Sequence, residues 1–194
     1  MRLQTAMTLE PALMHSHWDV ARAYALLGEL AKCDTYFERV PEDAAAANLH
    51  WINRARIALW RRDLVKAQGY LDRLDLVPEA MRGAVGMICQ LCVTGHLVEM
   101  GRVQLDTLAT QGRSMRRRAF FRQMLAECLA YAGDEEGMIS ALDDSERAAS
   151  FDVFSADRHP LFAPYRKNPR FVAIRDRLAG NAEQVLRALL TPTR

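Results

Sequence analysis

A chain of 194 residues, half of them apolar, is long enough to bury a core of its own and too apolar to remain a solvated tail. Its 26 Lys and Arg stand against 24 Asp and Glu, a near cancellation that excludes a surface built as a whole for phosphate backbones or acidic membranes, so any charge-based function is local. The cysteines Cys33, Cys89, Cys92 and Cys128 all lie inside apolar runs, which predicts buried thiols in a reducing compartment and no disulfide framework.

Residues 1–11 read as an N-terminal extension. Glu10, His15, His17 and Asp19 interrupt "MRLQTAMTLEPALMHSHWDV" where a secretory signal needs an unbroken apolar stretch, and no later segment reaches the roughly 18 apolar residues of a membrane span. A cytoplasmic protein without membrane contact is expected. From there on β-branched residues are sparse, and apolar residues recur three and four apart in Ala-, Leu-, Arg- and Glu-rich windows, the pattern of amphipathic helices. Pro41, Pro78, Gly95, Gly112, Gly133, Pro160, Pro164, Pro169 and Gly180 divide the chain into helical windows, which predicts an all-α fold of about ten helices.

Four of these windows share a register. Tight turns in "ALLGELAKC", "ALWRRDLVKA", "CVTGHLVEM" and "AYAGDEEGM" can be anchored on Gly28, Arg62, Gly95 and Gly133, spaced 34, 33 and 38 residues apart. Ala21, Ala55, Ile88 and Ala126 stand seven residues before the anchors, and Cys33, Ala67, Met100 and Met138 five after them. Small or slim side chains at both places let two antiparallel helices approach closely.

On these residues the chain resembles a tetratricopeptide repeat (TPR) array, whose unit is a helical hairpin of about 34 residues. The second window matches best: Trp51, Ala55, Ala67, Leu71, Leu74 and Pro78 occupy the large, small, small, large, apolar and terminating places of the motif. The first matches through Ala21, Tyr24, Gly28, Phe37, Val40 and Pro41. The fourth keeps Gly133 and Asp134 but has Gly137 and Met138 where the family prefers Glu-Ala, and the third keeps only Gly95, His96 and the apolar spacing. The resemblance implies a right-handed α-α superhelix of about four hairpins over residues 12–158.

A stack of hairpins exposes an apolar face at each end, and residues 159–194 are predicted to cover one of them. Leu161, Phe162, Phe171, Ile174 and Leu178 supply the cover, Asn168 caps a helix with Pro169 at its first position, and Gly180 is expected to end that helix before a last one capped by Asn181. The stretch "HPLFAPYRKNPRFVAIRDRL" is also similar to the segment that closes TPR arrays in bacterial signalling and regulatory proteins.

In such arrays the first helix of each hairpin lines a concave groove. That geometry, carried over from the resemblance, selects His15, Trp18 and Arg22; Ile52, Arg56, Leu59 and Trp60; Arg82, Cys89 and Cys92; and Phe120, Gln123, Glu127 and Tyr131. Trp and Arg are frequent interface anchors, so an apolar, partly acidic peptide or helix is the expected partner, although Trp18 and Trp60 fit packing between hairpins equally well. The Lys/Asn/Lys/Arg carboxylate clamp of some TPR domains is not expected, because only Asn53 and Arg56 approach it.

Arg113, Arg116, Arg117, Arg118 and Arg122, with Phe120 and Phe121 among them, suggest nucleic acid less than a solvated helix face or an intramolecular contact. Cys89 and Cys92 have redox or metal spacing without the strand or second ligand pair that such sites require. No phosphate loop, HExxH or nucleophile elbow occurs. The sequence therefore predicts a scaffold or adaptor without catalytic residues, metal or cofactor, and leaves a homo-oligomer open. A ligand- or partner-sensing domain of a bacterial regulator and a secretion-type chaperone are the competing readings, with a hydrolase on helical repeats behind them.

Overall fold

A computed structural model of the chain describes residues 14–39, 44–73, 99–111, 114–147 and 152–190. Among the described residues every regular element is helical, nine α-helices and one 3-10 helix, and none of the helices is long and apolar enough to cross a membrane. The chain divides into two compact units, Met1–Val93 and Thr94–Arg194.

The described residues of the first unit form two helical hairpins. Helix α1 (Met14–Leu26) packs on α2 (Leu30–Glu38), α3 (Ala44–Trp60) packs on α4 (Leu64–Leu71), and α1 also lies against α3. The second unit contains α5 (Glu99–Gln111), α6 (Met115–Ala132), α7 (Glu135–Arg147), the short α8 (Val153–Arg158), the 3-10 helix Pro160–Tyr165 and α9 (Pro169–Leu190). Here α6 packs on both α5 and α7, and α9 closes over α7 and α8.

Three of the hairpin turns are built alike. Gly28, Arg62 and Gly133 have φ of +77°, +56° and +80° and are the positive-φ residues among those described. Each closes its helix with the same two hydrogen bonds. The N–H groups of Gly28, Arg62 and Gly133 donate to the carbonyls of Ala25, Leu59 and Ala130 at 3.1, 2.9 and 3.2 Å. The N–H groups of the next residues, Glu29, Asp63 and Asp134, reach back to Tyr24, Ala58 and Leu129 at 2.9, 3.0 and 2.9 Å. This Schellman closure satisfies carbonyls that a helix end otherwise leaves open, and it needs the left-handed backbone that glycine adopts freely. Asp63 and Asp134 then start the following helices by accepting from Lys66 N–H at 3.0 Å and Gly137 N–H at 2.9 Å.

The spacing around those turns has the expected packing consequence. Ala21, Ala55 and Ala126, and their counterparts Cys33, Ala67 and Met138, are all wholly buried. Gly95, Ile88 and the first helix expected of the third hairpin lie outside the described residues, as does the side chain of Met100.

The C-terminal segment covers α6 and α7 with the residues expected of it. Leu161, Phe162, Phe171, Ile174 and Leu178 are buried, and Asn168 Oδ1 accepts from Arg170 N–H at 2.8 Å at the start of α9. One expectation fails: α9 does not stop at Gly180 but continues to Leu190. The side chain of Asn181, instead of capping a new helix, donates to Glu146 Oε1 on α7 at 2.9 Å. Glycine inside a helix costs only about 1 kcal/mol against alanine, too little to interrupt a helix held firmly up to that point.

That hold is a polar rim around an apolar seam. Asn168 bonds Glu135 at 2.6 Å, Arg170 pairs with Glu136 at 2.5 Å, and Arg177 reaches Asp143 and Glu146, all on α7. On α8, Asp157 receives Arg175 in a two-pronged pair at 2.9 and 3.0 Å, and the guanidinium beside it holds the Asp157 carboxyl below the usual carboxylate range. Beyond Ala182 every described residue of α9 is exposed, with Val185, Leu186, Leu189 and Leu190 among them.

Candidate interaction surface

The residues selected on the first helices divide by burial. In the first unit Trp18, Ile52, Leu59, Arg56 and Trp60 are buried, the two tryptophans at 6% and 4% exposure, whereas Arg22 and Asn53 are half-buried. The Arg56 guanidinium lies 5.6 Å from the Trp60 ring, one helical turn further along α3. This cation-on-ring contact gives the buried charge a partner and fixes both side chains. Of the residues selected in the first unit, Arg22 and Asn53 thus keep side-chain surface at the exterior and the others belong to the core.

A second aromatic array, of which the repeat pattern singled out only Phe37 and Trp51, joins α2, α3 and α4. Phe37 meets His50 edge-on at 5.6 Å, His50 meets Trp51 at 4.8 Å, and Trp51 stacks on Tyr70 at 5.9 Å. Arg54 sits among these rings, 5.6 Å from Phe37, 5.6 Å from Trp51 and 4.7 Å from Tyr70. Burial, aided by the nearby Arg54 cation, pushes the His50 pKa down to about 4, so the ring is neutral at physiological pH. The signal available in the sequence was the spacing of Arg54 and Arg61, seven apart and therefore on one face of α3 and its end, with Arg61 facing Asp34 of the preceding hairpin.

In the second unit Gln123 and Glu127 are engaged by the chain's own C-terminal segment. Gln123 Nε2 donates to Glu127 Oε1 at 3.2 Å and to Ser155 Oγ at 3.0 Å. His159, wholly buried, places Nε2 3.4 Å from Glu127 Oε1, while its Nδ1 accepts from Leu161 N–H at 3.2 Å and its ring stacks on Phe162 at 4.4 Å. With Nδ1 engaged by the backbone, Nε2 is the ring nitrogen left on the side of the carboxylate. These four side chains thus lock residues 152–165 onto α6. A cavity of about 20 Å³ bordered by Gln123, Ser145, Asp152 and Ser155 lies beside them, large enough for one water. Phe120 and Tyr131, three turns apart on α6, remain half-buried.

Arg122 resolves part of the basic stretch: it pairs with Asp106 on α5 and lies 3.6 Å from Asp144 on α7, an intramolecular contact that ties three helices together. Arg82, Cys89, Cys92 and Arg113 lie outside the described residues, as do the side chains of His15, Arg116 and Arg117. Cys33 and Cys128 are buried thiols, as expected, and burial pushes Cys33 up to about 11, so it is protonated and inert. Among the described residues no group of three or more His, Cys, Asp or Glu is placed to hold a metal ion. No protein-family model, curated protein or solved structure matches the chain.

Proposed function

We propose that the chain is a non-catalytic interaction module of TPR-like helical hairpins, holding a partner peptide or helix along the first helices of successive hairpins. The observation that carries this reading is the recurrence of one hairpin, with the same left-handed closure at Gly28, Arg62 and Gly133 and a buried alanine seven residues before each. Within the first unit the first helices α1 and α3 lie together, as they must where hairpins stack side by side and leave one row of helices for binding. Arg22 and Asn53 are the contact residues of that row, supported by Trp18, Ile52, Arg56 and Trp60. On α6, Phe120 and Tyr131 offer ring surface, while Gln123 and Glu127 belong to the internal lock. A segment with at least one carboxylate suits the row in the first unit, because a guanidinium fork recognises it, and an apolar anchor suits the rings on α6.

The test is affinity capture of partners with mass spectrometry, comparing wild type with the double variant Arg22→Ala, Asn53→Ala. A partner retained by wild type and lost from a variant with unchanged circular dichroism supports the reading. Equal capture by both proteins contradicts the assignment of the surface.

A further inference from the structure

Between α2, α3 and α4 of the first unit lies a small cavity of about 10 Å³, bordered by Asp34, Arg54, Arg61 and Lys66 together with Phe37 and Tyr70. Three cations face one carboxylate there, which leaves two positive charges in excess. The pairs with that carboxylate are long: Arg61 Nη1 is 3.6 Å from one Asp34 oxygen and Lys66 Nζ is 3.8 Å from the other, beyond ordinary hydrogen-bond reach. Arg54 Nε and Arg61 Nε and Nη2 are buried donors with no acceptor among the described residues. Proteins avoid that state, since such a donor has given up its hydrogen bond to water and received nothing in return. Arg54 cannot readily swing out to solvent, because its guanidinium is held against three aromatic rings.

A water molecule would satisfy a donor or two but would leave the excess charge uncompensated. An oxyanion does both. The cavity has room for about one water-sized sphere, so a single oxygen enters and the rest of the group stays at the mouth. Lys66, whose side chain is 41% exposed, stands where it can reach that remainder.

We infer that this notch is an oxyanion-binding site, which takes one oxygen of a phosphate or carboxylate group at Arg54 and Arg61 with Lys66 at its rim. It shares no residue with the partner surface described above, so the two readings stand or fall separately. Thermal melting of the full chain tests it, with sodium chloride replaced at constant ionic strength by sodium phosphate in one series and sodium acetate in another. The expected result is a saturable rise in Tm with at least one of them, phosphate identifying a phosphoryl site and acetate a carboxylate site. Arg61→Gln should weaken the apparent affinity about tenfold and Lys66→Gln about threefold, as the loss of a charge-assisted donor and of a rim charge imply. Because Lys66 is half in solvent, its variant keeps the test open should Arg61→Gln fail to fold. A Tm that does not saturate with either anion, or a saturable rise unchanged in Lys66→Gln, overturns the inference.

Discussion

The shared turn geometry makes a prediction of opposite sign at two places in one unit. At Gly28 φ is +77° and no atom lies within 4 Å of where a Cβ would stand, so Gly28→Ala meets no clash and feels only the backbone. An L-residue in the left-handed region is penalised by about 1–2 kcal/mol, and the reduced entropy of the unfolded chain returns about 0.4–1 kcal/mol of that, which leaves a net loss of about 1 kcal/mol. Arg62 already occupies that region with φ +56°, so glycine there should be better than alanine by a similar amount. Comparing Arg62→Gly with Arg62→Ala, instead of with wild type, removes the contribution of the arginine side chain. Urea unfolding followed by circular dichroism reads both effects. At an m-value of about 2 kcal/mol/M the midpoint should fall by about 0.5 M in Gly28→Ala and lie about 0.5 M higher in Arg62→Gly than in Arg62→Ala. Alanine as stable as glycine at either position would refute the claim that both turns depend on a left-handed backbone.

Three further outcomes follow from the packing. Phe171, 3% exposed on the seam between α9 and the rest of its unit, should cost about 3–5 kcal/mol on replacement by alanine, measured by denaturant unfolding of the second unit's helices. His50, held neutral by burial with its pKa near 4 against an ordinary 6.5, makes the unfolded chain the better proton acceptor. Stability is therefore full above pH 6.5 and falls as the pH drops toward 4, by about 2 kcal/mol at pH 5, and His50→Leu should flatten that part of the profile. Gly180 is a helical glycine with nothing within 4 Å of the place a methyl group would take, so Gly180→Ala should strengthen the end of α9 by up to about 1 kcal/mol, seen as slower amide exchange in residues 181–190.

The hairpins were legible because their determinants are local. A turn needs a residue that accepts positive φ, and two helices that touch need small side chains at a fixed distance from it; both requirements leave marks within a dozen residues of Gly28, Arg62 and Gly133. Of the five apolar residues of the C-terminal cover, Phe171, Ile174 and Leu178 were readable for the same reason, as an i, i+3, i+7 stripe after a proline start. What could not be read locally is which helical faces are covered by distant chain. Gln123 and Glu127 have the spacing of exposed groove residues, yet the segment that buries Glu127 lies some thirty residues away, at Ser155 and His159. Trp18 and Trp60 carry the same ambiguity, since a large aromatic on a first helix fits a floor and a contact surface alike. The continuation of α9 through Gly180 was hidden because its cause, the bond from Asn181 to Glu146, is also non-local.

Hydrogen exchange of the full chain, alone and saturated with a captured partner, tests most directly whether the row of first helices is where a partner sits. Slowed exchange is predicted in residues 18–26 of α1 and 50–60 of α3. Protection confined to the exposed end of α9, residues 183–190, or no protection in α1 and α3 despite binding, would contradict the account.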